Sequence, residues 1–573
     1  MKRIIIAFLL LQLLLSPVYG AEFHYVPYVY EPIIPATALS VLALYRVGDY
    51  GHALEGAMWL EELKTPDSSW AYQYGMKPQP KYTALSLMAL IRVESLAHGL
   101  FNKTINLAAY WLIYVQKANG SFGDYVDTAL SVLALKEYTR SRWRVFTVAE
   151  GLQRGLQYLR VVEPKNVRDR IFRDLALGNV RDLEFLRVDG VDALYRAFGI
   201  AYLTGKKVNV SSNFQDPASL ALLLYATESE TYYRELLTKL HFGFWGRLKY
   251  QPPDLLEAAT LPGFSDLKQP ACPVMLHLQP KLEWEKVVLA RYYLECNGSV
   301  DLSNVDLTKL KPWMIAEIVR INSLMGKPYE KEIQYLLKKE NENHWGNFFN
   351  TAYVVWVLSA LGVEFNYTPV LDWLASNLSD RYPNYYYTYA LVDFYRFNYT
   401  GAFNETFSML LKNQNPNGGW GYNRGAPSNV KSTSEVLRAL RQTRLKNTTA
   451  YSRGIFFLRN FLYAKIPTIK GYNGTVSMPN ATFFLLKNST YVGNRTNETS
   501  IEGLDGYIII YPSHHPLQIM AVSVEGFKLG LSPFLPSKQR KQRSWFWTLV
   551  PVSLSIVVYF ALRKRKEKKP PKK

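Results

Sequence analysis

Cysteine is nearly absent: the 573 residues contain two, Cys272 and Cys296. Two thiols so far apart supply too few ligands for a structural metal site, and no metal-ligand set is expected. Outside the cell the pair predicts a disulfide. Histidine is scarce, with eight scattered copies. Only His514-His515 are adjacent, in a proline-flanked stretch that predicts a loop. Acidic residues are short as well, 47 Asp and Glu against 67 Lys and Arg, for a net charge of +20. That excess is concentrated at the ends. The first twenty residues carry +2 and residues 538–573 carry +11, which leaves +7 for everything between. A nucleic-acid partner would need a clustered basic face, so none is expected.

The ends have their own logic. Met1-Lys2-Arg3, an apolar run from Ile4 to Leu15 and the small residues before Ala21 predict a signal peptide over 1–20. Residues 544–562 carry no charge, have Trp545 and Trp547 at their outer edge, and run into Arg563-Lys564-Arg565-Lys566. This predicts a single transmembrane helix, with 563–573 as a basic cytoplasmic tail and the bulk of the chain outside the cell. Fourteen Asn-x-Ser/Thr sequons fit that location. Asn102, Asn297, Asn366, Asn398, Asn404, Asn447, Asn473, Asn480 and Asn488 are the candidate glycan sites.

Between the ends one phrase recurs. Thr-Ala-Leu-Ser begins at Thr37, Thr83 and Thr128, and related runs begin at Thr351, Thr388 and Thr433. An aromatic residue precedes each of five of them at a fixed distance. Phe122, Trp345 and Tyr382 stand six residues ahead, Trp70 and Trp420 thirteen. Periods of this length mark stacked supersecondary units. The Thr-led runs are apolar all round, which predicts inner helices buried on every side. Arg46, Arg92 and Lys136 follow three of them, suited to a helix carboxyl end. Asp127, Asn350 and Ser432 stand just ahead of their Thr and read as caps, and Ser432-x-x-Glu435 reads as a capping box. Segments such as 107–117 read as one-sided outer helices. From about 464 the pattern turns β-rich, which predicts a small β module or stalk over 464–535.

The phrase Gln414-Asn-Pro-Asn-Gly-Gly-Trp420-Gly421 ahead of an inner helix, with Gln116 to Gly123 and Asn343-His344-Trp345-Gly346 as further copies, resembles the QW repeat of the terpenoid cyclase and protein prenyltransferase superfamily. The resemblance implies a mainly α fold, an α/α toroid of about six hairpins over 21–463 around a central cavity, with 165–320 diverged. It does not bring the family's chemistry. The Asp-x-Asp-Asp acid, the Asp-Asp-x-x-Asp metal clamp, the Asp-x-Cys zinc pair and the Cys-Gly-Glu-Gln thioester stretch are all missing. No cofactor is expected. Residues just before inner helices should line the cavity mouth, which makes Asp124, Asp127, Asn347, Asn350, Asn384 and Tyr387 the candidate lining.

The function this predicts is a membrane-anchored cell-surface binding or interaction module for an extracellular isoprenoid, glycan or peptide. Two alternatives stand beside it: an isoprenoid-class enzyme with a displaced acid, and a carbohydrate-active, lyase-like enzyme.

Overall fold

The computed structural model describes residues 22–141, 146–241 and 243–468, and beyond them five strands between 475 and 531. The expected signal peptide, transmembrane helix, cytoplasmic tail and the sequons at Asn473 and Asn488 lie outside the described residues. Among those described, no helix is long and apolar enough to cross a membrane. The fold is mainly helical, with 22 α-helices among the described residues. The chain divides into two compact units. One comprises Glu31–Arg247 with Lys470–Lys573, the other Met1–Tyr30 with Leu248–Ile469.

The first unit contains α1 (Ile34–Arg46), α2 (Tyr50–Glu62), α3 (Pro80–Ala97), α4 (Asn102–Val115), α5 (Tyr125–Arg140), α6 (Phe146–Val161), α7 (Val167–Leu177), α8 (Val180–Phe185), α9 (Gly190–Thr204), α10 (Pro217–Thr227) and α11 (Glu230–Thr238). Six of these pack in cyclic order: α1 on α3, α3 on α5, α5 on α7, α7 on α9, α9 on α10, and α10 back on α1. The second unit contains α12 (Pro252–Ala259), α13 (Lys268–His277), α14 (Glu283–Glu295), α15 (Pro312–Leu324), α16 (Glu330–Lys339), α17 (Phe348–Ala360), α18 (Thr368–Ser376), α19 (Asn384–Arg396), α20 (Thr400–Asn413), α21 (Val430–Gln442) and α22 (Thr449–Leu462). Here too six close on themselves, in the order α12, α14, α15, α17, α19, α21 and back to α12. The repeat predicts one ring drawn from 21–463; the chain instead builds a closed cycle of six inner helices within each unit. The stretch from 165 onward that lacks the phrase supplies three inner helices to each.

The repeated Thr and aromatic form a joint. Each Thr hydroxyl accepts the backbone N–H of its aromatic: Thr83 from Trp70 at 3.0 Å, Thr128 from Phe122 at 3.0 Å, Thr351 from Trp345 at 2.9 Å and Thr433 from Trp420 at 2.9 Å. The Trp indoles donate to the outer helix behind, Trp70 to the Leu60 carbonyl, Trp345 to Leu336 and Trp420 to Leu410. The joint thus satisfies buried donors at both ends of the turn. The glutamines complete it. Gln116 Nε2 donates to the carbonyls of Gly120 and Gly151, and Gln414 Nε2 to those of Gly418 and Ala450, tying turn to next outer helix. Gly120 and Gly418 both have left-handed φ, +89° and +91°, and a Cβ on either would lie 2.4 Å from a carbonyl oxygen.

A further joint went unread in the sequence. Trp245 donates its indole N–H to Leu236, and its backbone N–H reaches Thr37, 208 residues away. It fastens the last outer helix of the first unit to the first inner helix. The copy at Thr388 departs the other way: its hydroxyl donates to the Tyr385 carbonyl, not to the turn at Tyr382.

The helix starts also differ from expectation. The side chains that cap are Asp124, Asn347 and Asn429, which accept from the backbone N–H of Asp127, Asn350 and Ser432 at 2.7, 2.9 and 2.8 Å. Each helix therefore begins three residues earlier than the sequence suggests, and Ser432-x-x-Glu435 lies inside α21, not at its cap. Nor do the trailing cations cap their own helices. Arg46 donates to the carbonyls of Ala201 and Gly205 at the end of α9, and Lys136 to that of Ala176 at the end of α7.

Cys272 and Cys296 form a disulfide that ties α13 to the end of α14. Strand β1 (Glu22–Pro27) pairs antiparallel with β5 (Tyr463–Thr468), and β2 (Tyr30–Pro32), β3 (Leu240–His241) and β4 (Phe244–Leu248) form a small sheet in the order β2-β4-β3. Strands β6 (Thr475–Lys487), β7 (Thr490–Ser500), β8 (Gly506–Tyr511), β9 (Gln518–Ser523) and β10 (Gly530–Leu531) form an antiparallel sheet in the order β10-β9-β8-β6-β7. Asn297, Asn366, Asn398, Asn404 and Asn447 are exposed and Asn102 is half-buried.

Candidate functional site

The two sets of inner helices enclose different centres. In the first unit the cations that trail the inner helices fill the space with rings and ion pairs. Arg92 meets Glu137 at 2.9 Å and sits over the Tyr202 ring, while Arg46 sits over Tyr225. A separate cavity of about 450 Å³ opens near the α1–α2 turn. Its polar groups are matched to one another: Asp49 accepts from Tyr233 at 2.8 Å and pairs with His52 at 2.6 Å, and Glu228 pairs with Arg46 at 3.0 Å.

In the second unit all six inner helices contribute side chains to a cavity of about 450 Å³. Its mouth lies at the amino ends of α15, α17, α19 and α21, where Lys311, Trp313, Asn347, Phe349, Tyr385, Tyr386 and Lys431 stand, with Tyr422 beside them. The aromatics form a continuous wall. Phe349 lies 5.0 Å from Tyr385, 5.2 Å from Tyr386 and 5.9 Å from Trp313, and Tyr353 lies 4.7 Å from Tyr389.

Deeper in are three carboxyls in three different states. Glu257, 1% exposed, takes Arg291 at 2.9 Å, Arg438 at 2.5 Å and the Tyr292 hydroxyl at 3.2 Å. Burial pushes its carboxyl up, but the two guanidiniums outweigh burial and bring it down to about 2. Glu317 is held by both arms of Arg320, at 2.7 and 2.6 Å, and by the Tyr353 hydroxyl at 2.5 Å. Burial raises it, and the Arg320 contacts win and lower it. The Glu435 carboxyl, on a residue 7% exposed, has no hydrogen bond or ion pair with the side chain of any described residue. Burial, then the Glu257 charge, push its carboxyl up to about 7 against the pull of Lys431, Arg438 and Arg291. It is the one carboxyl of the three that the cavity both raises and leaves without a side-chain partner among the described residues.

Of the residues singled out from the sequence, Asn347 and Asn350 line this cavity. Asn384 and Tyr387 do not. Asn384 is fully buried, donating to the Gly421 carbonyl at 2.9 Å and accepting from Asn413 at 2.8 Å, and the Tyr387 hydroxyl donates to the Ser379 carbonyl. Asp124 and Asp127 belong to the first unit. They cap α5 reciprocally and face Lys81 at 3.5 and 4.0 Å. Burial, partly offset by backbone hydrogen bonding, raises the Asp127 carboxyl. The sequence reading left out Glu257 and Glu317 and took Glu435 for a capping-box residue. The signal for Glu257 and Glu317 was their position inside apolar runs, where an unpaired charge is costly, whereas Glu435 follows Ser432-Thr433-Ser434 and offered none.

The sequence matches no protein-family model and no curated protein. Among solved structures the chain is similar to ent-copalyl diphosphate synthase from Streptomyces platensis, at 13% identity and a TM-score of 0.30, over 76% of this chain and 93% of that one. Figures this low establish neither a common fold nor a common chemistry.

Proposed function

We propose that the protein is a membrane-anchored cell-surface α/α-toroid protein that binds a sugar-like ligand in the centre of its second unit. The observation that carries this reading is the cavity itself, to which every inner helix of that unit contributes and whose mouth combines aromatic faces with amide and ammonium groups. Aromatic faces accept the apolar face of a pyranose ring, while Asn347, Asn350 and Lys431 offer partners for its hydroxyls. A purely hydrocarbon ligand would leave those polar groups unpaired, which costs affinity. The surface location is supported by the apolar stretch 544–562 with its trailing cations, and by exposed sequon asparagines.

One observation favours the isoprenoid alternative. Glu435 is an unpartnered carboxyl facing an aromatic wall, which suits a displaced acid that protonates an alkene. Titrating the full-length protein with a panel of neutral and acidic oligosaccharides, alongside turnover assays on polyprenes and polyprenyl diphosphates, separates the two. The sugar reading requires saturable binding that Trp313→Ala weakens at least tenfold while the melting curve is unchanged. Turnover of a polyprene with no sugar binding would replace it.

A further inference from the structure

The charges around the cavity do not cancel. Arg291 and Arg438 face one carboxylate, Glu257. Arg320 is matched by Glu317. Lys311 and Lys431 stand exposed at the mouth, with Asp254 the acidic group that senses Lys431. Five cations thus face three anions, and Glu435 decides whether a fourth is present. Four inner helices also turn their amino ends, and so their positive dipole ends, toward the same opening.

Resting on the sugar-site reading, we infer that the ligand is an acidic sugar, a carboxylate-bearing pyranose chain, and that Glu435, the cavity carboxyl with no side-chain partner among the described residues, engages it. The ligand carboxylate meets Lys311 and Lys431 at the mouth, and the Glu435 hydroxyl donates to an acceptor oxygen deeper in. The groups that face Glu435 are Glu257 from α12, Arg291 and Tyr292 from α14, Tyr389 from α19, and Lys431 and Arg438 on α21 itself. Of these, Glu257 is the one that favours the protonated form, because its own charge is locked in place by two guanidiniums. Ionised Glu435 would lose its donor and repel the ligand. Binding is therefore lost as pH rises through the raised Glu435 midpoint, and takes up a proton above it.

The test uses the full-length protein and isothermal titration from pH 6 to 8.5, in two buffers of different ionisation enthalpy. The probes are a galacturonate oligosaccharide, ionised over this whole range, and its neutral methyl ester. The free acid is expected to bind at least tenfold tighter than the ester. Its affinity should fall about tenfold per pH unit above 7, with proton uptake at pH 8. Glu435→Gln, which keeps a donor and cannot ionise, should bind with no pH slope and no proton uptake over the same range. Equal binding of acid and ester would overturn the acidic-ligand inference while leaving the sugar site standing. An unchanged pH slope in Glu435→Gln would remove Glu435 from it. If neither probe nor any neutral sugar binds, the sugar-site reading falls first and takes this inference with it.

Discussion

Asp393, on α19, is fully buried, and neither of its carboxyl oxygens has a hydrogen-bond partner among the described residues. Burial raises its pKa well above the usual carboxylate range, with Arg396 pulling weakly the other way. A carboxyl shifted in that direction imposes no ionisation penalty below its unfolded pKa near 4, and a growing one as pH rises above it. Asp393→Asn should therefore stabilise the second unit at pH 7 by about 1–3 kcal/mol. The advantage should shrink toward zero near pH 4, read as the gap between melting curves at the two pH values. A stability gain independent of pH would mean that Asp393 is matched after all. The same logic separates the three cavity glutamates: guanidiniums hold two as anions, and the third waits. None of this was visible in the sequence, because the partners converge from helices far apart in the chain, such as Glu257 and Arg438, 181 residues away.

Among the elements, the joint between outer and inner helices was the most legible. Its spacings of six and thirteen residues reflect one contact, Thr hydroxyl to aromatic N–H, reached across a short or a long turn. Thr351→Val keeps the volume and removes the acceptor, leaving the Trp345 N–H buried and unmatched. A loss of about 1–3 kcal/mol is expected, with Thr351→Ser largely restoring it, measured by denaturant unfolding of the full-length protein. Gly418→Ala should cost more than about 1 kcal/mol, since its backbone is left-handed and the Arg453 carbonyl occupies the space. What stayed hidden was the joint that spans the chain. Trp245-Gly246 repeats the Trp-Gly pairs of 345 and 420, but its Thr lies upstream at 37, so a search downstream of the aromatic finds nothing. The caps were misplaced for a related reason. The apolar run marks where burial begins, and each helix starts one turn earlier, in polar sequence.

At the scale of the molecule, a single ring was expected and two closed cycles of helices were found. Local phrases repeat in the same way whether the units belong to one ring or two, and only the long-range joints tell. The Thr37–Trp245 contact closes Glu31–Arg247 on itself, so a polypeptide of residues 31–247 should fold alone, with helical circular dichroism and a cooperative melt. Trp245→Ala should abolish that cooperativity. The second unit is assembled otherwise. Its strand Glu22–Pro27 waits for Tyr463–Thr468, and Tyr28 donates to the Leu462 carbonyl at 2.7 Å. During synthesis Glu22–Pro27 must therefore stay unpaired until more than four hundred further residues have emerged. A nascent chain arrested before residue 463 would hold one finished ring and one that lacks its clasp. Completion of the second unit is thus marked by the meeting of the two segments that flank it in the chain, an order of assembly that no local repeat contains.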